Sequence, residues 1–194
     1  MSDGEMKDGA ARQTALLDEI GADCHRLAQE LVDSFSVAGA RVATAESCTG
    51  GLIAAAITDV PGSSAVFERG FVTYSNPAKQ DMLGVRDTTL DSYGAVSAQV
   101  ATEMVLGARR RSGASFAVSV TGVAGPGGGS AIKPVGLVWM GLSGPGDLTS
   151  VIELRWDPAW SRALIRAATV RAALEALIGR LAQPTRGQET PGSP

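Results

Sequence analysis

The chain is poor in the residues on which disulfide, zinc and histidine chemistry depend. Its two cysteines, Cys24 and Cys48, form no C-x-x-C pair, so the sequence predicts neither a disulfide framework nor a zinc site. His25 is the single histidine and therefore the one possible base for a Ser-His-Asp triad, and we expect it to be an ordinary, partly buried residue of a helix. Apolar runs of membrane-spanning length and a signal-peptide pattern are also absent, so we expect a cytoplasmic protein without a membrane partner.

Charge of neither sign dominates. The 17 basic and 20 acidic side chains give a formal net charge of −3, which argues against a broad nucleic-acid surface, and we expect no nucleic-acid partner. With 194 residues and 44% hydrophobic content, the chain suits one compact domain. Residues 1–13 and 183–194 are polar or rich in Gly and Pro, so we predict disordered tails there and one domain over residues 14–182.

Strand and helix patterns alternate along the predicted domain. Apolar periodicity and capping signals predict helices over residues 16–35, 52–57, 76–84, 97–113 and 161–181. Apolar β-type runs predict strands over residues 41–45, 65–74, 116–121, 135–142 and 151–156. This order predicts an α/β protein with helices on both faces of a sheet. The last two strands are joined by too short a link for a parallel crossover, so the sheet is expected to be mixed.

A segment rich in hydroxyls and glycines joins the first strand to the second helix. It reads Thr44-Ala45-Glu46-Ser47-Cys48-Thr49-Gly50-Gly51. Unpaired N–H groups and the positive end of the helix dipole would stabilise an oxyanion or a phosphate beside Ser47. Alternatively, Ser47 or Thr49 only caps the helix. Cys48 is a competing nucleophile, because a thiolate at a helix N-terminus is activated.

A glycine-rich segment follows the third strand. It reads Val120-Thr121-Gly122-Val123-Ala124-Gly125-Pro126-Gly127-Gly128-Gly129, which predicts a loop. The pattern fits neither a P-loop nor a dinucleotide fingerprint, because no Gly-Lys-Ser/Thr follows and a strand comes next. Two interpretations stay open: a flexible surface hairpin, or a ligand-binding loop at the end of a sheet strand.

A base for Ser47 is not evident from local motifs, since the G-x-S-x-G and S-x-x-K patterns are both absent. Lys79 lies in the first turn of the helix that opens at Asn76-Pro77, where the helix dipole lowers the pKa of a lysine. Tyr74, just before that helix, could donate or relay a proton. A solvated lysine and a core tyrosine are the alternatives.

Several separate motifs resemble one known family, the C-terminal domain of the competence-damage-inducible protein CinA, over residues 27–181. These motifs are the Ser47 segment, Asp59-Val60-Pro61-Gly62-Ser63-Ser64, Tyr74-Ser75-Asn76 with Lys79, Leu83-Gly84-Val85, Gly94-Ala95-Val96-Ser97, and the run from Thr121 to Gly128. The resemblance implies a three-layer α/β/α fold with a mixed, mostly parallel sheet of about five strands. It also implies a homodimer that requires neither a metal nor a cofactor.

The resemblance further implies which residues act. Ser47 matches the family's nucleophile, Lys79 and Tyr74 match its proton-handling residues, and Arg162 matches a phosphate ligand. Here Arg162 follows Trp160-Ser161, whereas the family usually carries Gly-Asp-Arg, which puts the local geometry in question. We predict a set of residues that bind the substrate: Glu46, Thr49, Gly50, Asn76, Thr121, Gly122, Ala124, Gly125, Gly127 and Arg162.

The implied activity is that of a nicotinamide-nucleotide amidohydrolase in pyridine nucleotide recycling. Such an enzyme would convert nicotinamide mononucleotide to nicotinic acid mononucleotide and ammonia through a serine acyl-enzyme. Two other interpretations stay open: a non-catalytic nucleotide-binding protein of the same fold, and an amidohydrolase acting on another nucleotide. Glu46 could face the cationic pyridinium ring or serve as a structural hydrogen-bond acceptor.

Overall fold

A computed structural model describes residues 3–146 and 148–183. The helices are α1 Asp3–Val37, α2 Leu52–Thr58, α3 Asn76–Leu83, α4 Asp87–Tyr93, α5 Ala98–Ser112 and α6 Arg162–Leu181. The strands are β1 Val42–Glu46, β2 Phe67–Val72, β3 Phe116–Gly122, β4 Leu137–Ser143 and β5 Thr149–Arg155. Every predicted strand and helix has a counterpart, which confirms the α/β class.

The five strands form one mixed sheet in the order β2-β1-β3-β4-β5. β1 pairs in parallel with both β2 and β3, whereas β3–β4 and β4–β5 are antiparallel. The predicted antiparallel pairing of the last two strands is confirmed. The parallel share is smaller than predicted, because the β3–β4 link is also a hairpin without a crossover helix.

Helices cover both faces of the sheet. Alternate β3 residues point to opposite faces, so Val118 and Val120 pack under α1, α2 and α6, whereas Ala117 packs under α3, α4 and α5. The molecule therefore has three layers, with one large buried core on each face of the sheet. A smaller cluster of Ile20, Leu164 and Ala168 joins α1 to α6. Within the described ranges, no helix is long and apolar enough to cross a membrane.

The first helix begins earlier than the sequence predicts. Residues 3–13 belong to α1, whereas the composition predicts a disordered tail there. The Gln13 side chain explains part of this difference, because it accepts from Ser161 N–H at 2.7 Å and donates to the Ala159 carbonyl at 3.1 Å. Residues 1–2 and, within the second predicted tail, residues 184–194 lie outside the described residues.

Two helix details also differ from expectation. The pair Asn76-Pro77 predicts a capping residue followed by proline at the first helical position. The N-cap of α3 is instead Ser75, whose hydroxyl accepts from Ala78 N–H, and Asn76 is the first helical residue. The sequence did not predict α4, because its Thr, Ser and Asp residues have weak helix propensity. Tertiary contacts hold α4 instead, since Leu90 is buried and Thr89 donates to the Glu103 carboxylate.

Candidate active site

Ser47 and Lys79 meet at the carboxyl edge of the parallel strands. Ser47 directly follows β1 and donates its backbone N–H to the carbonyl of Val120 in β3. Lys79 lies on α3, and its Nζ donates to Ser47 Oγ at 3.0 Å and to the Thr73 carbonyl at 2.9 Å. The structure thus brings together a hydroxyl and an amine that are 32 positions apart in the chain.

Burial changes the acidity of the Lys79 side chain. The residue is only 1% exposed, and this desolvation lowers the pKa of its ammonium group below the usual 10.5. The sequence-based expectation attributed the lowered pKa to the dipole of α3, but burial is the dominant cause. A lysine that loses its proton more readily can accept one from a neighbouring hydroxyl.

Cys48 has the opposite character. Its side chain is buried in the core under α1 and α6, and burial raises the pKa of the thiol to about 12. The thiol therefore stays protonated at neutral pH, because the apolar surroundings disfavour a thiolate. The sequence left open whether Ser47 or Cys48 is the nucleophile, and the raised thiol pKa of this core residue argues against Cys48.

Glu46 anchors the start of α2 through its buried carboxylate. It is fully buried, and its carboxylate accepts four hydrogen bonds of 2.7–3.0 Å, from Thr49 Oγ1 and from the N–H groups of Gly51, Ile53 and Ala54. Of the two interpretations of Glu46, these contacts favour the structural hydrogen-bond acceptor, because the helix N-terminus already holds an anion from its own chain. Neither Glu46 nor Thr49 lines the cavity beside Ser47, and their contact with substrate stays a prediction.

The turn between β1 and α2 contains two backbone donors of interest. Gly50 N–H donates to the Ser47 carbonyl at 3.1 Å, closing a four-residue turn. Among the described residues, neither Cys48 N–H nor Thr49 N–H donates to a backbone carbonyl. These two groups replace the N–H groups of α2 as candidate oxyanion donors, because Glu46 occupies the latter.

A cavity of about 220 Å³ opens beside Ser47. Its walls come from the carboxyl ends of β1, β2 and β3 together with the starts of α3 and α6. The lining residues are Ser47, Cys48, Tyr74, Asn76, Lys79, Ala95, Val96, Thr121, Gly122, Ala124 and Arg162. An open α/β sheet binds ligands at this edge, where connections leave a central strand in opposite directions.

Tyr74 and Arg162 form the mouth of the cavity. Arg162 donates from Nη2 to the Tyr74 hydroxyl at 2.7 Å and from Nη1 to the Gly125 carbonyl at 3.0 Å. Tyr74 is 60% exposed, so it is not the core residue that one interpretation expected. Arg162 lines the cavity as the first residue of α6, directly after Trp160-Ser161. Ser161 caps this helix by accepting from Leu164 N–H.

The glycine-rich segment contributes one end to the site. It forms the β3–β4 hairpin, whose start at Thr121, Gly122 and Ala124 lines the cavity and whose tip at Gly127 is exposed. Both interpretations of this segment therefore describe part of it. Gly50, Gly125 and Gly127 lie outside the cavity lining, although the Gly125 carbonyl accepts from Arg162, and their contact with substrate stays a prediction.

Some residues at the site were not predicted. Ala95 and Val96 line the cavity, and the Ala95 carbonyl accepts from Thr121 Oγ1 at 2.7 Å. Arg166 donates from Nη2 to the Thr49 carbonyl at 2.7 Å. Ala95 and Val96 lie in one of the motifs that carry the family resemblance, which was the available signal. Arg166 had no such signal, because an arginine on an amphipathic helix is usually solvated.

The remaining titratable candidates lie elsewhere or form no cluster. His25 is exposed on α1 and does not line the cavity, so it was wrongly expected to be partly buried. Within residues 3–146 and 148–183, no group of three or more His, Cys, Asp or Glu side chains is arranged to hold a metal ion.

Fold and site together define a three-layer α/β protein with a serine–lysine pair at the carboxyl edge of its parallel strands. Comparison with known proteins agrees with this class. A profile of the CinA C-terminal domain matches residues 24–181, and the chain belongs to that family.

Individual relatives are similar over most of their length. Nicotinamide-nucleotide amidohydrolase PncC of Enterobacter agglomerans is 60% identical over 120 residues, which cover 62% of this chain and 73% of that protein. The protein of the same name from Pseudomonas putida is 51% identical over 152 residues, covering 78% and 93% respectively. The crystal structure of the competence/damage inducible protein CihA from Agrobacterium tumefaciens, 55% identical, matches with a TM-score of 0.80 over 83% of this chain and 96% of that chain.

Proposed function

We propose that this protein is a nicotinamide-nucleotide amidohydrolase that converts nicotinamide mononucleotide to nicotinic acid mononucleotide and ammonia. The observation that carries the proposal is the 3.0 Å hydrogen bond between Lys79 Nζ and Ser47 Oγ inside a cavity that buries the lysine. Such a pair supplies a nucleophile and its base, as amide hydrolysis requires. The names of the relatives from Enterobacter agglomerans and Pseudomonas putida support the choice of substrate.

The first half-reaction acylates Ser47. Neutral Lys79 takes the proton of Ser47 Oγ as that oxygen bonds to the carboxamide carbon, and the π electrons of the carbonyl move to its oxygen. The N–H groups of Cys48 and Thr49 stabilise the resulting oxyanion. The intermediate then collapses, the C–N bond breaks, and the leaving nitrogen takes the proton from Lys79 to depart as ammonia.

The second half-reaction releases the product. Lys79, neutral again, takes a proton from water while the water oxygen bonds to the acyl carbon. As the bond between the acyl carbon and Ser47 Oγ breaks, Lys79 gives its proton to the serine oxygen, and the carboxylic acid on the ring then loses its remaining proton to solvent to become a carboxylate. Tyr74, whose hydroxyl accepts from Arg162 at the mouth of the cavity, donates or relays a proton. In this mechanism Lys79, which contacts Ser47, is the base and Tyr74 is not.

Arg162 is proposed to bind the nucleotide phosphate. Its guanidinium lines the cavity, is held by Tyr74 and Gly125, and presents the fork of donors that phosphate oxygens accept. Asn76 and the Thr121–Ala124 segment line the same cavity and are proposed to contact the ring and ribose. The phosphate then supplies binding energy far from the reacting bond, which orients the carboxamide against Ser47.

We also propose a homodimer that works in the cytoplasm. Val72, the last residue of β2, and Leu52, the first residue of α2, are exposed apolar side chains. Strand β2 is an edge strand of the sheet and offers its unpaired side to a second copy. Light scattering of the purified protein tests the dimer, and fractionation of cells that express it tests the location.

Ammonia release from nicotinamide mononucleotide tests the proposed function directly. We expect Ser47→Ala to lower turnover by about 10³-fold or more, since the acyl-enzyme can no longer form. The matched control Cys48→Ala removes the neighbouring thiol and should retain most activity. An inactive wild-type protein, or an inactive cysteine variant beside an active serine variant, would contradict the proposal.

Comparing two substrates tests the phosphate subsite. Nicotinamide riboside lacks the phosphate, so its kcat/KM should be at least about tenfold below that of the mononucleotide. Arg162→Ala should narrow this difference, mainly by lowering kcat/KM for the mononucleotide. Equal values for the two substrates in the wild-type protein would mean that the phosphate is not recognised.

A further inference from the structure

Arg166 binds the turn that carries Ser47 from a distant part of the chain. It lies on α6, one turn after Arg162, and its Nη2 donates to the Thr49 carbonyl at 2.7 Å across 117 sequence positions. A Cβ atom built on Gly50 would lie 3.4 Å from the same nitrogen, so the guanidinium packs directly against the turn. Arg166 does not line the cavity beside Ser47.

Within the described part of the chain, no carboxylate neutralises the charge of Arg166. Among the side chains that the structure describes, none forms an ion pair with Arg166, whereas Arg171 on the same helix pairs with Asp23. The Nε atom of Arg166 is buried and has no hydrogen-bond partner in the described part of the chain. Because its guanidinium donates to the Thr49 carbonyl, Arg166 applies its positive charge mainly to that peptide group.

Two peptide groups connect Arg166 to the oxygen that would become negative. The carbonyl of Thr49 accepts from Arg166, and the N–H of that same peptide group, on Gly50, donates to the Ser47 carbonyl at 3.1 Å. The Ser47 carbonyl belongs to the second peptide group, and the N–H of that group is on Cys48. Hydrogen bonds in such a chain polarise one another, so a cation at one end strengthens the donor at the other.

We infer that Arg166 is a positioning residue that orients and polarises the Cys48 N–H as an oxyanion donor, acting through the Thr49–Gly50 and Ser47–Cys48 peptide groups. This inference rests on the proposed function in taking Ser47 as the nucleophile. The amide that follows a nucleophile is well placed for this task, because it lies next to the oxygen of the tetrahedral intermediate. Arg166 thereby favours the transition state without touching the substrate.

The test compares Arg166→Met with Arg171→Met, which removes a guanidinium from the same helix away from the turn. A fluorophosphonate probe measures Ser47 reactivity without the nucleotide: Ser47 Oγ bonds to phosphorus, the P–F bond breaks, fluoride leaves, and Lys79 takes the serine proton. The tetrahedral adduct places an oxygen where the oxyanion would lie. We expect Arg166→Met to slow labelling about ten- to a hundredfold, with Arg171→Met unchanged.

Two further measurements separate this role from a structural one. With nicotinamide mononucleotide, Arg166→Met should lower kcat by a similar factor while KM changes less than about threefold, since the lost interaction acts in the transition state. Added guanidinium ion at low millimolar concentration should restore part of the labelling rate. Arg166→Lys should be intermediate, because it keeps the charge but has a different donor geometry.

Several results would overturn the inference. One is an equal labelling rate of Ser47 in Arg166→Met and wild type, and another is a raised KM with unchanged kcat in Arg166→Met. A third is a lower labelling rate that guanidinium does not restore and that is fully explained by a smaller amount of folded protein. Absence of wild-type labelling at Ser47 would also overturn it. Wild-type protein that is labelled at Ser47 yet releases no ammonia would refute the proposed substrate, and the labelling rates would still decide the function of Arg166.

Discussion

Lys79 is a lysine whose amine lies 3.0 Å from a serine hydroxyl with almost no access to water. We therefore expect kcat/KM to rise with pH along an ionisation below the usual lysine value of 10.5, because burial lowers the pKa and the neutral amine is the active form. Lys79→Met should remove this limb and lower activity about 10²- to 10⁴-fold. A pH-rate profile of both proteins provides the measurement.

The control for this prediction is Lys79→Arg, whose guanidinium group stays positively charged, cannot act as a base and should not restore activity.

The lowered pKa of Lys79 also has a consequence for stability. Since the unfolded state holds the lysine proton more tightly, the free energy of unfolding should rise as the pH increases from the folded pKa towards 10.5. Denaturation across this range should show no such dependence in Lys79→Met. If Lys79→Met stayed active and its kcat/KM still rose with pH in the same way, Tyr74 would be left as the candidate base.

Helix α2 owes its position to one buried carboxylate. Glu46→Gln keeps the size of the side chain but replaces an accepting oxygen with a donating amide, opposite N–H groups that can only donate. We expect a loss of about 2–4 kcal/mol in the free energy of unfolding, measured by urea denaturation. Glu30→Gln, an exposed change on α1, should leave stability within about 0.5 kcal/mol. Similar stabilities of the two variants would contradict the anchoring function.

Helices α3 and α5 approach each other closely at a glycine. A Cβ atom on Gly107 would lie 2.1 Å from the Leu83 carbonyl oxygen, so Gly107→Ala must push the end of α3 away from α5. Because α3 carries Lys79, we expect both a loss of about 1–3 kcal/mol in stability and a loss of activity. Thermal denaturation and ammonia release from the same preparation measure the two effects.

Gly179→Ala is the matched control for this prediction. Gly179 also lies inside a helix, but nothing lies within 4 Å of the position that its Cβ would take. Alanine has the higher helix propensity, so this change should stabilise the protein by about 0.5–1 kcal/mol with activity unchanged. Destabilisation by both substitutions would mean that helix packing at Gly107 is not the cause.

The molecule as a whole is held by two cores on opposite faces of one sheet, and α1 contributes unequally along its length. Residues 8–12 are exposed, whereas Leu31 is fully buried against the core that contains β1, β3 and α6. We expect deletion of residues 1–12 to change the melting temperature by less than about 3 °C and to leave activity unchanged. Leu31→Ala should lower the free energy of unfolding by about 2–5 kcal/mol, because it removes a buried side chain and leaves a cavity. Calorimetry of both variants decides whether the end of α1 is needed, and an unfolded deletion variant would show that it is.

The sequence by itself determined the succession of strands and helices along the chain, the start and end of most helices, and the residue types that carry the chemistry, whereas the order of the strands within the sheet came from the structure. These features depend on local patterns: apolar periodicity, caps such as Ser97 and Ser161, and left-handed glycines such as Gly84 and Gly113 at helix ends. The family resemblance added an expected mechanism, because its motifs recur in order along the chain.

Only the tertiary structure decided what the individual side chains contact. Ser47 and Lys79 are 32 positions apart and Arg166 and Thr49 are 117 apart, so no local pattern reports their hydrogen bonds. The same holds for Glu46, which looked available for a cationic ring and instead binds the start of α2. Burial acts in the same way: it leaves Cys48 protonated and Lys79 ready to lose its proton, because the pKa of each group depends on the surroundings that folding creates.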